Sequence, residues 1–342
     1  MLTVLIIIIF LSVLVLIHEL GHFLTAKKFN VFIEEFGIGL PPRIFGKKKG
    51  EVMYSINALP IGGFVKIAGE NQEELVNEQI PKDRIFYNLK VWKRFLILIA
   101  GVAMNFLLGW VLISLIFFIG IPKAVVITQV QTDTPAGQAG LKINDVVVGF
   151  KNVEDLVVFI NQNKGQKISL KVERGGKEMT FEMTPRINPP QNQGALGVAL
   201  SDTGQENQGV FKSVWNGLKA SVNIFAMVFV GIAGLLKSAI LGKASLEAVT
   251  GPVGIVKITA QASHMGFIYL MQLLALISLN LAALNIFPFP ALDGGRILFL
   301  IIEKIKGSPL PKRFEQYANA TGMVLLLLLM VLITVKDIIR IF

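Results

Sequence analysis

The sequence predicts a polytopic α-helical membrane protein with about four transmembrane helices, an inserted α+β domain, and a β-hairpin in the loop after the first helix. Hydrophobic residues make up 53% of the 342-residue chain, and the mean hydropathy is +0.63. Several apolar runs approach the roughly 20 residues that cross a bilayer. Between residues 121 and 188 the character changes to short Val/Ile-rich runs broken by turn residues, the pattern of a small folded domain outside the lipid. In the first loop, Val52–Ile56 and Phe64–Ala68 are β-prone runs joined across Asn57, Pro60 and Gly62-Gly63.

The first span runs from Leu2 to about Ala26. No basic residue precedes it and no small-residue cleavage site follows, so it reads as a retained span rather than a removable signal peptide. The loop after it is strongly basic, with Lys27, Lys28, Lys47, Lys48, Lys49, Arg84, Lys93 and Arg94. The positive-inside rule makes that loop cytoplasmic and the N-terminus external. A second span, about Phe95 to Gly120, completes a first membrane segment over residues 1–120. The α+β domain of residues 121–188 follows on the outside, with turn signals at Asp133-Thr134-Pro135 and Gly175-Gly176 and a helix-like piece near Val153 to Asn161.

Residues 189–265 read as a connector followed by an interfacial helix. Asn188 to Gln208 is rich in Asn, Gln, Pro and Gly. Val214 to Leu241 is apolar, yet Lys219 and Lys237 bracket a short core, and Gly217, Gly231 and Gly234 weaken it. If it crossed, the clear span from Gly266 to Leu292 would finish at the outer face, away from the histidines described next. It is therefore expected to lie at the interface or to be only shallowly embedded, which gives four crossings, with five as the competitor. Residues 266–342 form the second membrane segment, whose last span, about Ala320 to Val335, leaves the C-terminus outside. The formal charge of +10 fits loops beside the anionic lipid of the inner, cytoplasmic membrane. Those loops lack the aromatic interleaving of a nucleic-acid surface, and with no cysteine the chain has neither disulfides nor thiolate metal sites.

Two of the three histidines lie in His18-Glu19-Leu20-Gly21-His22, inside the first apolar run. On a helix, positions four apart share a face, so both imidazoles can hold one Zn²⁺ while Glu19 serves as general base toward a water. A histidine pair that only hydrogen-bonds within a bundle is the plain alternative, but burying two imidazoles and a carboxylate among isoleucines and leucines is costly without a partner. A catalytic zinc takes three protein ligands, and Asp293 is the expected third. It closes Asn285-Ile286-Phe287-Pro288-Phe289-Pro290-Ala291-Leu292-Asp293-Gly294-Gly295, where two prolines force the helix open. Asn285 is a candidate to bind or polarise a scissile carbonyl, or else to join helices. Asn105 carries the same choice, with helix joining favoured. His264 reads as an interfacial side chain rather than a ligand.

These strings together resemble the site-2 protease family of intramembrane zinc metalloproteases, in particular the bacterial regulator-of-sigma-E protease group. The resemblance rests on His18–His22, the PIGGFVKIAGE string at Pro60–Glu70, Ala100–Phe106, the GPVG string at Gly251–Gly254, and Asn285–Gly295. It implies that His18, His22 and Asp293 hold zinc, that Glu19 is the catalytic base, and that Asn285 assists substrate. It also implies cutting of single-span membrane proteins, such as anti-sigma factors, already shortened by another protease. The hairpin is then membrane-associated, and an exposed edge there could pair with substrate as an added strand. Thr134–Asp145 resembles a PDZ domain, a module that captures peptides. Asn144 stands where that family usually has glycine, and Val102 where the second-span string usually has proline. A polytopic metal or ion transporter, with the His/Glu/Asp cluster as a midplane site, is the competing class. A membrane-anchored peptide-binding adaptor is a third.

Overall fold

The structure, a computed structural model, describes residues 2–70, 79–190, 193–242 and 249–341. The chain divides into two compact units, one of residues 1–113, 217–263 and 270–342, the other of residues 114–216 and 264–269.

The first unit is built on long apolar helices, because in lipid a backbone must satisfy its own hydrogen bonds. Five helical stretches are long and apolar enough to cross a membrane: Leu5–Lys28, Val91–Ile119, Val210–Ala239, Phe267–Ile286 and Arg313–Arg340. They lie in α1 (Leu2–Lys28), α2 (Val91–Ile119), α5 (Val210–Ile240), α7 (Phe267–Ile286) and α9 (Lys312–Ile341). The stretch expected at the interface is thus one continuous 31-residue helix, α5. Two rings in its middle touch the unit: the Phe225 and Phe106 rings meet edge to face at 5.7 Å, and the Phe229 ring lies 5.5 Å from that of Phe287.

The expected hairpin takes a different course. β1 (Ile33–Lys49) and β2 (Val52–Ile67) form the sheet, and the runs 52–56 and 64–67 do not pair with each other but flank residues 33–38. Gly37 has Phe64 as partner on one side and Ser55 on the other. Residues 43–49 then pair with 52–57 after a turn at Gly50, whose φ of +65° suits glycine. Gly37, Gly39 and Pro41-Pro42 read as strand breakers, which is why β1 escapes a search for alternating apolar residues. The sheet leans on α1. Ser12 donates to the Pro60 carbonyl at 3.0 Å, and a Cβ at Gly63 would stand 2.6 Å from Leu16. Ile44, Phe45, Leu59 and Ile61 stay exposed, an apolar rim suited to lipid.

The sheet, α1, α2 and α8 (Asp293–Lys306) share a core that includes Phe23, Ile67, Ile97 and Leu300. A buried ion pair, Arg94 to Glu303 at 2.9 Å, ties α2 to α8. At the other end of α9, buried Asp337 accepts the N–H groups of Gly251 and Gly254, at 3.0 and 2.8 Å, and so caps α6 (Pro252–Met265). A Cβ at Gly251 or Gly254 would stand 2.8 or 3.1 Å from Asp337 Oδ2, so the two glycines of the GPVG string admit this carboxylate. His264 lies within α6.

The second unit is the α+β domain. Its sheet runs β6-β5-β4-β3-β7, with β3 (Ile121–Val130), β4 (Val146–Val147), β5 (Ile168–Arg174), β6 (Lys177–Met183) and β7 (Val198–Gln205). Helices α3 (Pro135–Ala139) and α4 (Val153–Gln162) complete it over a core of Val125, Ile127, Leu156 and Val172. The stretch Asn188–Gln208, expected to be a flexible connector, contains β7, which pairs antiparallel with β3. Its polar sequence hides a strand because alternate residues face solvent. Asn144 has φ +71°, the left-handed conformation that favours glycine and that asparagine tolerates. Its neighbour Asp145 is fully buried and accepts from Lys142 N, Arg174 Nε and Arg174 Nη2 at 2.8, 2.6 and 2.7 Å. The carboxylate holds the Arg174 guanidinium pKa above its ordinary value. Removing one member of such a pair strands the other charge. Arg174→Met should cost this unit about 3 kcal/mol. Hydrogen exchange at the β4 and β5 amides of the full-length protein measures it, and unchanged protection would contradict this clamp.

Candidate active site

His18 and His22 sit one turn apart on α1, their rings 4.8 Å apart and nearly perpendicular at 84°. They lie where α1 meets α2, a contact made close by small residues. A Cβ on Gly21 would stand 2.3 Å from the Ala100 carbonyl oxygen. A Cβ on Gly101 would stand 2.4 Å from His22 Nε2 and 2.7 Å from His18 Cε1. The absent side chain at Gly101 therefore makes the cradle in which the imidazoles lie.

Asp293 reaches the same place from the other end of the chain. α7 ends at Ile286, where the alternating Phe and Pro residues interrupt the helix, and α8 restarts at Asp293. The segment between folds back tightly. A Cβ at Gly294 or Gly295 would stand 2.2 Å from the carbonyl oxygen of Phe287 or Phe289, respectively. Ala291 adopts φ +75°, and its N–H donates to Asn319 Oδ1 of α9 at 3.0 Å. Irregular backbone in an apolar bundle is thereby satisfied.

Asp293 Oδ2 lies 3.1 Å from His18 Nε2 and 3.4 Å from His22 Nε2, and the two Nε2 atoms are 3.2 Å apart. Of the candidate ligands named from sequence, all three are brought together. Oδ2 is buried and makes no directed hydrogen bond despite this proximity. Three acceptor atoms facing one another repel unless a cation or proton lies among them. Ligand atoms about 2.0–2.1 Å from a tetrahedral zinc stand about 3.3 Å apart, and the observed spacings bracket that value. Two imidazoles and a carboxylate, with a fourth position left over, are a suitable donor set for catalytic zinc.

The outward ring nitrogens are also engaged. His22 Nδ1 is 2.8 Å from the Ile97 carbonyl oxygen, an acceptor that places its proton on Nδ1 and leaves the Nε2 lone pair facing inward. His18 Nδ1 is approached by two side-chain amides, Asn105 and Asn285, each with Nδ2 at 3.4 Å. Ser278 Oγ of α7 donates to the main-chain carbonyl of Asn105 at 2.7 Å, while the Asn105 side-chain amide faces His18. Glu19 Oε2 accepts the N–H of Val65 in β2 at 3.0 Å, so the sheet orients this carboxylate. Glu70, just beyond β2, is paired with Arg296, one turn after Asp293. Gly101, Val65, Arg296 and Asn319 were not singled out from sequence. The Ala100–Phe106 string contained the first, whereas Asn319 carries no local signal.

A membrane-embedded helical core holding a His-His-Asp cluster beside a glutamate defines a metallopeptidase of the membrane interior. Comparison with known proteins agrees: the model of peptidase family M50 matches residues 6–329, and the chain belongs to that family. A protein of Clostridium acetobutylicum named "Putative zinc metalloprotease" is 33% identical over 336 residues, which cover 96% of this chain and 95% of the relative. The regulator of sigma-W protease RasP of Bacillus subtilis is 29% identical over an alignment of 422 positions covering 99% of each. A Fusobacterium nucleatum relative is 31% identical, again over 99% of each. The chain is a multi-pass membrane protein and a zinc-dependent metalloendopeptidase.

Filling the cradle tests this geometry. Gly101→Ala should cost the loaded site about 1–3 kcal/mol through overpacking against His22. Zinc retained after dialysis against a graded chelator measures it, and retention equal to the parent protein would contradict the placement of Gly101.

Proposed function

We propose that this enzyme cuts single-span membrane proteins within the bilayer, anti-sigma factors among them, after another protease has removed their outer portion. His18, His22 and Asp293 are the zinc ligands and Glu19 the general base. The mutual approach of three ligand atoms to 3.1–3.4 Å carries this reading. The sigma-W regulator in the name of one relative favours the substrate class.

Bound zinc supplies Lewis acidity, which makes water a nucleophile near neutral pH and polarises the peptide carbonyl. Val65 holds Glu19 through Oε2, which leaves Oε1 to take the proton of the attacking water and pass it to the leaving amine. Asn285 Nδ2 donates to the substrate carbonyl as charge develops on it. A substrate helix hides its carbonyls in its own hydrogen bonds, so it must be unwound. The sheet beside α1 offers an edge for the extended chain.

The α+β unit is read as a PDZ domain that selects shortened substrates. Among the described residues β7 ends the sheet with β3 as its one neighbour in the strand order, the kind of edge on which a peptide adds. The topology is read as four crossings in the inner membrane, with both termini and this unit outside and the active site toward the cytoplasm. Asn319 near the start of α9 touches Ala291, whereas Gly251 is held by Asp337 near its other end. Residues 241–250, between α5 and Gly251, are too few for a returning helix of about 20 residues. The four-crossing reading therefore embeds α5 without a full crossing.

Glu19→Gln separates this reading from a transporter. The variant should bind zinc as the parent does while cleavage of a single-span model substrate falls by about 10²–10⁴ or more. Undiminished cleavage would overturn the assignment of the base, and metal flux without cleavage in the parent protein would favour the transporter.

A further inference from the structure

We infer that Asn105 is the positioning residue that fixes the tautomer of His18, its side-chain oxygen accepting the Nδ1 proton. The inference rests on the metal-site reading above. A neutral imidazole that presents Nε2 to a metal carries its proton on Nδ1, and that proton needs an acceptor. For His22 the acceptor is the Ile97 carbonyl, at 2.8 Å. For His18 the nearest polar atoms are the amides of Asn105 and Asn285, both with nitrogen toward Nδ1 at 3.4 Å. Nitrogen facing a protonated Nδ1 sets donor against donor. The Asn105 Oδ1 atom, meanwhile, is buried with no hydrogen-bond partner among the described residues. Rotating this one amide by half a turn brings its oxygen to Nδ1 and turns its nitrogen to the buried position that Oδ1 leaves, while the Asn285 nitrogen stays where it is. Oδ1 then takes the Nδ1 proton, and the two ends of an amide are assigned by their hydrogen bonds rather than by shape.

The choice of Asn105 over Asn285 follows from burial and count. The ring nitrogen has one proton, so one amide accepts it. Asn105 has no exposed surface and is anchored through its main chain by Ser278, so it holds a fixed direction. Asn285 is partly exposed where α7 ends, so its Nδ2 stays available to donate to a substrate carbonyl. Helix α2 thus orients both histidines, His22 through Ile97 and His18 through Asn105.

The test compares Asn105→Leu, which removes the acceptor and keeps the branching of the side chain, with Asn105→Asp, which keeps the acceptor. Zinc affinity of the full-length protein in detergent is read by chelator competition, and the melting midpoint of the metal-free protein is read in parallel. Loss of such an outer hydrogen bond typically weakens metal binding by about 10–100-fold. That loss is expected for Asn105→Leu, with Asn105→Asp staying within about threefold of the parent. Two results overturn the inference: Asn105→Leu binding zinc as tightly as the parent, or both variants losing affinity alike in step with a lowered metal-free midpoint. Asp293→Asn serves as the control. If that variant keeps full zinc affinity, the ligand assignment itself has failed rather than the role of Asn105.

Discussion

His18, His22 and Asp293 come from helices separated by most of the chain, and their Nε2, Nε2 and Oδ2 atoms face one another across 3.1–3.4 Å in an apolar interior. Holding three acceptors so close is unfavourable in the absence of a cation, so packing must keep them in place. The close approach of α1 and α2 contributes to this. Gly21 admits the carbonyl of Ala100, and Gly101 leaves room for both imidazoles. Closer approach than larger side chains permit is what small residues achieve between helices in lipid, where burial of apolar surface gives no net drive to association.

The second half of the site obeys the same logic by opposite means. α1 and α2 are regular, and their contribution is proximity; the chain between α7 and α8 is irregular, and its contribution is direction. Two prolines end α7, and two glycines let α8 start against the carbonyls of Phe287 and Phe289. Freed backbone groups at membrane depth need partners, and Asn319 supplies one to Ala291. Arg296, in the first turn of α8, pairs with Glu70 beyond β2. The aspartate is thus aimed by contacts to α9 and to the sheet side at once.

The site was legible in the sequence to the extent that its chemistry sits in short strings. Two histidines four apart, a glutamate between them and an aspartate after a proline-broken helix are local patterns, and they named the residues that the fold gathers. What escaped was the support. Gly101 matters because of what it lacks, and Asn319 acts through a single bond to a residue in another helix. The fold divides the same way. Apolar runs revealed the long helices, whereas β1, interrupted by glycines and prolines, and β7, in a polar stretch, show themselves only once their partner strands are in place. Strand pairing is long-range information, and α5 is a case where composition alone left two placements open.

Glu19 joins these parts. It lies between the two histidines, yet its Oε2 is held by a main-chain N–H of β2 rather than by another helix. A strand donor is fixed by the register of the whole sheet, and this sheet is in turn seated on α1 by Ser12 and Leu16. The carboxylate and the strand are therefore mechanically one unit: whatever shifts β2 along α1 shifts Glu19 relative to His18, His22 and Asp293. An extended peptide added to such a sheet would be aligned with the carboxylate by the same register, because hydrogen-bonded strands sit at fixed spacing. Alignment of this kind would place a peptide and the Glu19 carboxylate in one frame beforehand, and such orientation lowers the entropic cost of a reaction.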